Sequence, residues 1–332
     1  MRRYLLSFVS LLILLIPVVA FVSYALLFSP KTPESPVQFE IQPGTGLNQV
    51  AASLQKTGVV RNALAVKLLA RWKQQTGQIQ AGHYVFKNPA SAEKVLDRLV
   101  QGDVEKVSLT VPEGFTLKQV IARIAEKGFG QSERLQRLAT DKGFIQSLGI
   151  EANSLEGYLF PETYLFAPGI DEKALLTMMV SQFFDHTGSK FKADIAKLGL
   201  SQHQWVTLAS IIEKETGIVT EMPLISSVFH NRLRGNIPLQ TDPTVIYGID
   251  DFDGNITRKH LKTPTPYNTY TTKGLPPGPI ANPGLSALDA AAHPAITQLL
   301  YFVARGDGSH QFSKTLKEHN AAVRKYQLRK RK

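Results

Sequence analysis

The sequence predicts an α+β protein in three parts: an N-terminal transmembrane helix, a small α+β module, and a larger mixed α+β domain with a loop-rich groove. Three observations lead to this prediction. Residues 4–29 contain no charged side chain, and short strand and helix patterns alternate over the residues that follow. Later in the chain, a long stretch is rich in proline, glycine and tyrosine. We therefore expect an anchor at 1–29, a linker at 30–37, a module at 38–104, a larger domain at 105–326 and a basic tail at 327–332.

The first 29 residues have the composition of a membrane anchor. The uncharged stretch that follows Arg2 and Arg3 is long enough to cross a hydrocarbon core of about 30 Å as a helix. A cleaved signal peptide is the alternative, but such peptides have a shorter apolar core and a small-residue cleavage site. The two arginines would keep the N-terminus in the cytoplasm. We therefore expect a single-pass protein of the inner (cytoplasmic) membrane, with the rest of the chain outside the cytoplasm.

Cysteine content and charge exclude several kinds of function. The chain of 332 residues has no cysteine, which rules out thiolate metal sites and a cysteine nucleophile. Its net charge of +11 would suit nucleic acid, but six of the basic residues lie in the last nine positions. Such a tail is solvated, or lies on anionic lipid or an anionic wall polymer. For a chain anchored outside the cytoplasm, we expect no nucleic-acid partner.

The module that follows the linker is predicted as a β-α-α-β-α unit. Alternating apolar residues predict strands at 37–41 and 82–86, and helical spacing predicts helices at 47–56, 62–75 and 91–102. Its strand-turn-helix opening, Ile-Gln-Pro-Gly-Thr-Gly-Leu-Asn-Gln-Val-Ala, resembles that of LysM-like carbohydrate modules. The resemblance implies a small glycan-binding domain.

The first part of the larger domain is mainly helical. A strand at 105–111 precedes helices at 116–127, 132–139 and 142–148, and a long helix is expected at 171–198. Between them lies Leu-Glu-Gly-Tyr-Leu-Phe-Pro-Glu-Thr-Tyr, a segment with many aromatic residues and two carboxylates, Glu156 and Glu162. One interpretation is a packed aromatic turn. The other is an aromatic wall with a hydrogen-bonding acid, a usual way for a groove to hold sugars.

A helix predicted at 206–216 carries the most informative side chain. Leu208, Ile211, Ile212 and Glu215 follow the spacing i, i+3, i+4, i+7, so a carboxylate occupies the apolar stripe of an amphipathic helix. Burial there would raise the pKa of Glu215 and keep it protonated near neutral pH, as a general acid requires. The alternative is a buried acid paired with an arginine. Glu213 points to the opposite side, where we expect a solvated or salt-bridged residue.

The next helix begins near residue 220, with Pro223 in its first turn. Its expected apolar stripe is Leu224, Val228 and Leu233, and its polar side carries His230, Asn231 and Arg232. Residues 237–284 are then rich in loops that contain Tyr, Thr, Asn and Pro, a composition that disfavours disorder. We expect a binding groove there; the alternative is a rigid structural loop. A short helix at 286–291, a hairpin around 306–309 and a final helix from about 315 complete the domain.

These patterns restrict the possible chemistry. The histidines lack the His-x-x-x-His and His-Glu-x-x-His spacings of metal sites, and Gly-x-Ser-x-Gly and phosphate-binding loops are absent. A buried glutamate beside a polar groove suits glycoside cleavage. Ordinary glycosidases use two carboxyls, and Asp242, Glu162 or Glu156 could be the second. A single carboxyl suffices when the sugar supplies its own nucleophile, as the C6 hydroxyl of N-acetylmuramic acid does in forming a 1,6-anhydro ring.

Several segments together resemble one known family. They are Ala-Ser-Ile-Ile-Glu-Lys-Glu-Thr, Val-Phe-His-Asn-Arg-Leu, Leu-Gln-Thr-Asp-Pro-Thr-Val-Ile-Tyr-Gly, Thr-Pro-Tyr-Asn-Thr-Tyr, Gly-Leu-Pro-Pro-Gly-Pro-Ile and Ala-Ala-Ala-His-Pro. With the anchor, the module and the aromatic segment, they are similar to the endolytic murein transglycosylases, the MltG or YceG-like family. The likeness extends from the anchor to about Tyr326 and is most specific between residues 208 and 294.

The resemblance implies an activity and a site. In that family the glutamate followed by threonine is the catalytic acid and base, which falls on Glu215. The implied reaction cleaves nascent peptidoglycan strands at the inner membrane of a bacterium, leaves a 1,6-anhydro end, needs no cofactor or metal, and takes place beside the wall synthases. As groove residues we expect Glu162, Gln240, Thr241, Asp242, Tyr247, Tyr267, Asn268 and Tyr270. Two alternatives remain: a wall-binding scaffold without catalysis, and a two-carboxylate muramidase.

Overall fold

The computed structural model describes residues 36–328 without a gap and, before them, residues 17–19, 21, 24, 25 and 29–31. The predicted anchor and the end of the basic tail therefore lie largely outside the described residues. Among the residues that are described, no helix is both long enough and apolar enough to span a membrane. The chain divides into two units: one contains the chain up to Val107 together with Leu165–Gly169, and the other contains Ser108–Tyr164 and the chain from Ile170 onward.

Between residues 36 and 106 the structure contains two antiparallel strands and three helices, in the order that the sequence predicts. Strand β1 (Val37–Ile41) pairs with β2 (Gly82–Phe86), with Phe39 opposite Tyr84. Apolar residues from the strands and from the helices form one core, because each helix turns its apolar stripe inward. The helices are α1 (Leu47–Lys56), α2 (Ala63–Trp72) and α3 (Ala92–Gln101).

The second unit is mainly helical, and the predicted α+β class is confirmed for the residues that the structure describes. Strands β3 (Val107–Thr110) and β4 (Thr163–Phe166) lie at the boundaries of the two units' residue ranges, and β5 (Tyr301–Ala304) pairs with β6 (His310–Ser313) within the second unit. A 3₁₀ turn (Val219–Glu221) and a π-helical turn (Arg324–Leu328) supplement the helices. The helices are α4 (Leu117–Glu126), α5 (Ser132–Ala139), α6 (Lys142–Ser147), α7 (Glu172–Thr187), α8 (Lys192–Lys197), α9 (Gln202–Glu215), α10 (Met222–Arg234), α11 (Asp242–Tyr247), α12 (Arg258–Lys262), α13 (Leu285–Ala292) and α14 (Leu316–Val323).

Helix α9 is buried on all sides along most of its length. Ser201 begins it through a capping box with Gln204, which satisfies two backbone N–H groups at the helix start. Every residue from 205 to 212 is buried. Trp205 Nε1 donates to the carbonyl of Leu288 in α13 at 2.9 Å, and Ser210 Oγ accepts from the N–H of Ile280 at 3.0 Å. The helix therefore has no solvent face opposite its apolar stripe.

Helix α10 differs from the prediction in which side chains it buries. Its buried stripe is Ile225, Val228, Phe229 and Arg232, whereas the predicted stripe members Leu224 and Leu233 are only partly buried. His230 is also buried, and its Nε2 lies 3.0 Å from the carbonyl of Ala291. The predicted polar side is thus an interior surface, because the chain from α13 to β5 packs over it.

The stretch 171–198 forms two helices rather than the predicted single one. Helix α7 ends at Thr187, because Gly188 takes a positive φ of 39° and donates its N–H back to the carbonyl of Phe184 at 2.6 Å. Helix α8 follows after a short turn. The stretch 237–284 is loop-rich as predicted, except that α11 and α12 lie within it.

Candidate active site

Glu215 is the last residue of α9. The helix ends there because Thr216 is extended, with φ −149° and ψ 140°. The Glu215 carboxylate accepts a hydrogen bond from Thr241 Oγ1, and the side chain faces a cavity of about 500 Å³. Within residues 36–328 no ion pair joins Glu215 to a basic side chain. The arginine-paired acid that the sequence left open is therefore not what the structure contains.

The environment of Glu215 favours its protonated form. Burial raises the pKa of Glu215 to about 7. The negative charge of Asp242 adds to the increase, whereas the hydrogen bond from Thr241 and the attraction of His310 oppose it. A carboxyl group with this pKa is protonated in about half of the molecules at neutral pH, so it can act as a general acid there.

The cavity beside Glu215 has both apolar and polar walls. Its apolar part comes from side chains of α10, the β5 strand and α14, and its polar part comes mainly from the loop before α11 and from β6. Fixed polar groups in a concave pocket orient a ligand, and the apolar surface beside them adds contact area. The polar lining residues besides Glu215 are Arg232, Gln240, Asp242, Tyr270, Tyr301, His310, His319 and Gln327.

Two loop segments that form the cavity wall are hydrogen-bonded to each other. The N–H of Gln240 donates to the carbonyl of Thr269 at 3.1 Å, and the N–H of Thr241 donates to Thr269 Oγ1 at 3.1 Å. Tyr270 Oη donates to Asp242 Oδ1 at 2.6 Å. Gln240 has a φ of 54°, a left-handed conformation that is uncommon for a residue other than glycine. The wall next to Glu215 is therefore held in one shape.

Arg232 fixes this wall from the side of α10. Its guanidinium is buried among backbone carbonyls rather than paired with a carboxylate, and burial lowers its pKa. Its planar donors suit such a cluster of acceptors. Arg232 Nε donates to Leu300 O at 2.7 Å, and Nη1 donates to Pro238 O at 2.9 Å, to Leu239 O at 3.1 Å and to Gln240 Oε1 at 3.1 Å.

The structure brings together five of the nine predicted site residues. Glu215, Gln240, Asp242 and Tyr270 line the cavity, and Thr241 contacts the Glu215 carboxylate. Glu162 is exposed and is not part of the cavity wall, and its Oε1 accepts from the neighbouring N–H of Thr163 at 3.0 Å.

The other three predicted residues lie apart from the cavity. Asn268 is fully buried, and its Nδ2 donates to the carbonyls of His260, Leu261 and Thr263, so it fixes the loop that carries Tyr270. The rings of Tyr247 and Tyr267 contact each other with centroids 4.8 Å apart. Tyr267 lines a second cavity of about 460 Å³, together with Lys142, Asn153, His203 and Pro277.

Glu156, a candidate for a second acid, is sealed in the core of the second unit. Its carboxylate accepts from the N–H of Leu117 at 2.8 and 3.0 Å, from Tyr247 Oη at 3.0 Å and from Asn282 Nδ2 at 3.3 Å. Gly157 makes this burial possible, since it has a φ of 87° and an added Cβ would lie 2.6 Å from Pro279. Burial raises the pKa of Glu156 to about 7, although the hydrogen bonds from Leu117 and Tyr247 act in the opposite direction and lower it. Glu156 thus joins three segments of the chain.

The prediction that Glu213 is a solvated or salt-bridged surface residue is wrong. Glu213 is partly buried, and its Oε2 accepts from the N–H of Gly284 at 3.0 Å. Burial raises the pKa of Glu213, and the nearby negative charge of Glu113 adds to the increase. The reason is that α9 is surrounded by the domain, so the side of the helix opposite Glu215 is also an interior surface.

Several polar residues at or next to the cavity were not among the predicted site residues, among them Arg232, His310 and Glu221. Arg232 follows Ile225, Val228 and Phe229 at the same i, i+3, i+4, i+7 spacing that selected Glu215, so that criterion would have found it. His310 lines the cavity and contacts Glu221, which lies 89 residues earlier in the chain. A contact over that separation leaves no pattern in one sequence. Within the described residues, no group of three or more His, Asp or Glu side chains is arranged to hold a metal ion.

Comparison with known proteins gives one consistent result. The model of the YceG-like family matches residues 39–325. A Bacillus subtilis (strain 168) protein named endolytic murein transglycosylase is 35% identical over 312 residues, which cover 89% of this chain and 86% of that protein. A Streptococcus pneumoniae (serotype 2, strain D39) protein of the same name is 27% identical over 315 residues, which cover 85% of this chain and 57% of that longer protein.

A solved structure is also similar to this chain. It is a crystal structure of a YceG-like protein from Listeria monocytogenes, with a TM-score of 0.60 and 31% sequence identity. The match covers 87% of this chain and 99% of the other. The similarity therefore extends well beyond the segment around Glu215.

Proposed function

The chain belongs to the YceG-like family, and we propose that it is an endolytic lytic transglycosylase that cleaves peptidoglycan glycan strands, with Glu215 as the catalytic acid and base. The observation that carries this proposal is the position of Glu215, whose carboxyl faces a cavity, accepts a hydrogen bond from Thr241 and has a raised pKa. The named activity of the Bacillus and Streptococcus relatives supports the same substrate.

The first step that we propose is proton donation to the leaving group. Protonated Glu215 gives its proton to the oxygen of the bond between N-acetylmuramic acid and N-acetylglucosamine, and the bond from C1 to that oxygen breaks. A raised pKa helps because the carboxyl must hold its proton until the transition state. The hydrogen bond from Thr241 fixes the direction in which the carboxyl presents that proton.

In the second step the substrate supplies its own nucleophile. The C6 hydroxyl of the same N-acetylmuramic acid attacks C1, which closes a 1,6-anhydro ring. The Glu215 carboxylate left by the first step accepts the hydroxyl proton, so the enzyme returns to its starting state with no net proton gain. No water is consumed, and a wall of fixed side chains around the reacting atoms favours attack by the tethered hydroxyl over attack by water.

The arrangement of the other acids supports a single catalytic carboxyl. Two-carboxylate glycosidases need a second acid free to act as base or nucleophile. Asp242 is near Glu215, but its Oδ1 accepts from Tyr270 Oη at 2.6 Å, and Glu156 is sealed by four hydrogen bonds in the core. Asp242 acting as a base on water remains the rival mechanism, and it would leave a reducing end instead of an anhydro end.

The test is the product formed by wild type and by Glu215→Gln. Glutamine keeps the shape and one acceptor oxygen but has no acidic proton, so we expect the rate of cleavage to fall by about 10³-fold. Purified glycan strands are incubated with each protein, and the ends are identified by mass spectrometry. Glu133→Gln is the matched control, because Glu133 is an exposed glutamate on α5.

Each outcome of this experiment has a distinct meaning. Anhydro ends with wild type and with Glu133→Gln, but not with Glu215→Gln, support the proposal. Reducing ends indicate the two-carboxylate muramidase. Glycan binding without any cleavage by wild type indicates the scaffold function and contradicts the enzyme.

The sequence patterns extend this proposal to location and to the first unit. We propose that residues 1–29 anchor the chain in the bacterial inner membrane with its N-terminus in the cytoplasm, beside the wall synthases, and that residues 38–104 bind glycan as LysM-like modules do. Release of the full chain from bacterial membranes by alkaline carbonate would contradict the anchor. Trp72 is 79% exposed and can stack on a sugar ring; unchanged glycan affinity in Trp72→Ala would argue against its part in binding.

A further inference from the structure

His310 and Glu221 are joined by two contacts that hold the imidazole ring in one orientation. His310 Nδ1 lies 2.7 Å from Glu221 Oε2, and the backbone N–H of His310 donates to Oε1 of the same carboxylate at 3.0 Å. Both side chains are largely buried. A carboxylate that accepts from Nδ1 leaves Nε2 as the nitrogen available to other groups, and Nε2 makes no hydrogen bond to the residues that the structure describes.

The ring lies in the wall of the cavity that contains Glu215. It packs edge-on against Phe302, with centroids 5.5 Å apart and an interplanar angle of 88°. The geometry therefore fixes the ring from two sides, by the contacts with the Glu221 carboxylate and by an aromatic contact. The other titratable side chains that line the cavity with Glu215 are Arg232, Asp242, Tyr270, Tyr301 and His319.

None of these other groups is placed to offset a negative charge on Glu215. Arg232 donates to four acceptors in the cavity wall. Burial and the charge of Arg232 lower the pKa of His319, which keeps that ring neutral. Asp242 is an acid, and its Oδ1 accepts from Tyr270 Oη. His310 differs from these groups, because the Glu221 carboxylate contacts its Nδ1 and would stabilise a positive charge on its ring.

We propose that His310, oriented by Glu221, is a positioning residue for the reaction, and that its imidazolium stabilises the Glu215 carboxylate formed after proton donation. The inference rests on the proposed function of Glu215. Between its two proton transfers, Glu215 carries a negative charge in a buried site beside Asp242, which is energetically unfavourable without a compensating charge. The attraction of His310 lowers the pKa of Glu215, which is consistent with this role.

The test compares pH profiles of kcat/KM for cleavage of purified glycan strands. In wild type, we expect activity to fall at high pH as Glu215 loses its proton, near its pKa of about 7. In His310→Gln, we expect kcat to fall about tenfold with little change in KM, because the Glu215 carboxylate loses its compensating charge. The basic limb should move up by about one pH unit, because Glu215 then holds its proton more tightly.

Three further variants separate this role from a structural one. Glu221→Gln keeps an acceptor oxygen but removes the negative charge that stabilises the protonated His310 ring. The basic limb of its pH profile should therefore also move to higher pH. It also carries the test if His310→Gln does not fold. The double variant should lose no more activity than His310→Gln alone, since Glu221 acts through His310. His293→Gln is the matched histidine control, because His293 also pairs with a carboxylate, that of Asp194 at 3.1 Å, but does not line the cavity. The basic limb of its pH profile should stay at the wild-type pH.

The outcomes distinguish this inference from the proposed function. A basic limb that stays in place in folded His310→Gln and Glu221→Gln overturns the inference, as do losses that multiply in the double variant. Absence of anhydro ends with wild type overturns the proposed function itself, whatever the two variants do.

Discussion

Glu215 and Glu156 are two glutamates in the same unit, and burial raises the pKa of each to about 7. Their surroundings are nevertheless different. Glu156 accepts hydrogen bonds from Leu117, Tyr247 and Asn282 and is 3% exposed. Glu215 accepts one from Thr241 within the described residues, and its remaining surface faces a cavity of about 500 Å³. One carboxyl is enclosed by donors, and the other is open to a ligand.

The difference teaches that a raised pKa does not by itself identify a catalytic acid. Perturbed pKa values are frequent at functional sites, but buried structural carboxyls have them too. What separates the two glutamates is the number of protein donors and the presence of space for a substrate. The structural role of Glu156 and the catalytic role of Glu215 therefore lead to opposite expectations for stability and activity.

The largest expected effect on stability is that of Glu156→Ala. Removing this carboxyl leaves the N–H of Leu117 and the hydroxyl of Tyr247 buried without an acceptor, so we expect a loss of about 3 kcal/mol in the free energy of unfolding. Urea unfolding measures it. The control Glu133→Ala, at an exposed position, should change stability by no more than about 0.5 kcal/mol. A loss below about 1 kcal/mol for Glu156→Ala would remove the structural role assigned to it.

The two glutamates also show how far the sequence alone could lead. Glu215 was found because a charge interrupts the apolar spacing of its helix, which is a local signal. Arg232 interrupts the apolar spacing of the next helix in the same way, but the sequence places it on the polar side. The spacing allows either Arg232 or Leu233 to share a buried face with Val228. Only the packing of α13 and β5 against the helix shows that Arg232 is the buried one. The i, i+3, i+4, i+7 spacing therefore identifies the cavity-facing residue of α9, but on α10 it does so only when the packing of the helix is known.

Most of the helices and strands were predictable because they depend on local periodicity and caps. The break at Gly188 was missed, since a glycine near the middle of an apolar pattern is often tolerated within a helix. The role of Asn268 depends on three carbonyls of a neighbouring turn, and the role of His310 depends on a glutamate in a distant segment. Such contacts are set by the tertiary fold and have no signature in a single sequence.

The smaller effect is a pH dependence of stability that the two glutamates share in sign. Each has a folded-state pKa above its usual value of 4.5, so the folded protein binds more protons than the unfolded chain between pH 4.5 and about 7. Stability from each group is therefore greatest below pH 4.5 and declines as the pH rises to 7. A shift of this size corresponds to roughly 3 kcal/mol for each group.

Glutamine variants separate the contribution of each glutamate to the pH dependence of stability from that of the other titratable groups, because a glutamine side chain cannot ionise. At pH 4, where Glu215 is protonated in the folded protein and mostly protonated in the unfolded chain, we expect Glu215→Gln and wild type to have nearly equal free energies of unfolding. At pH 8 the variant should be more stable than wild type by about 3 kcal/mol, since wild type must bury a carboxylate. Glu156→Gln should instead be less stable than wild type at pH 4, because its amide group meets the donors of Leu117 and Tyr247. Equal stabilities of the two variants relative to wild type at pH 4, measured by urea unfolding, would mean that the number of donors around a buried carboxyl does not distinguish the two sites.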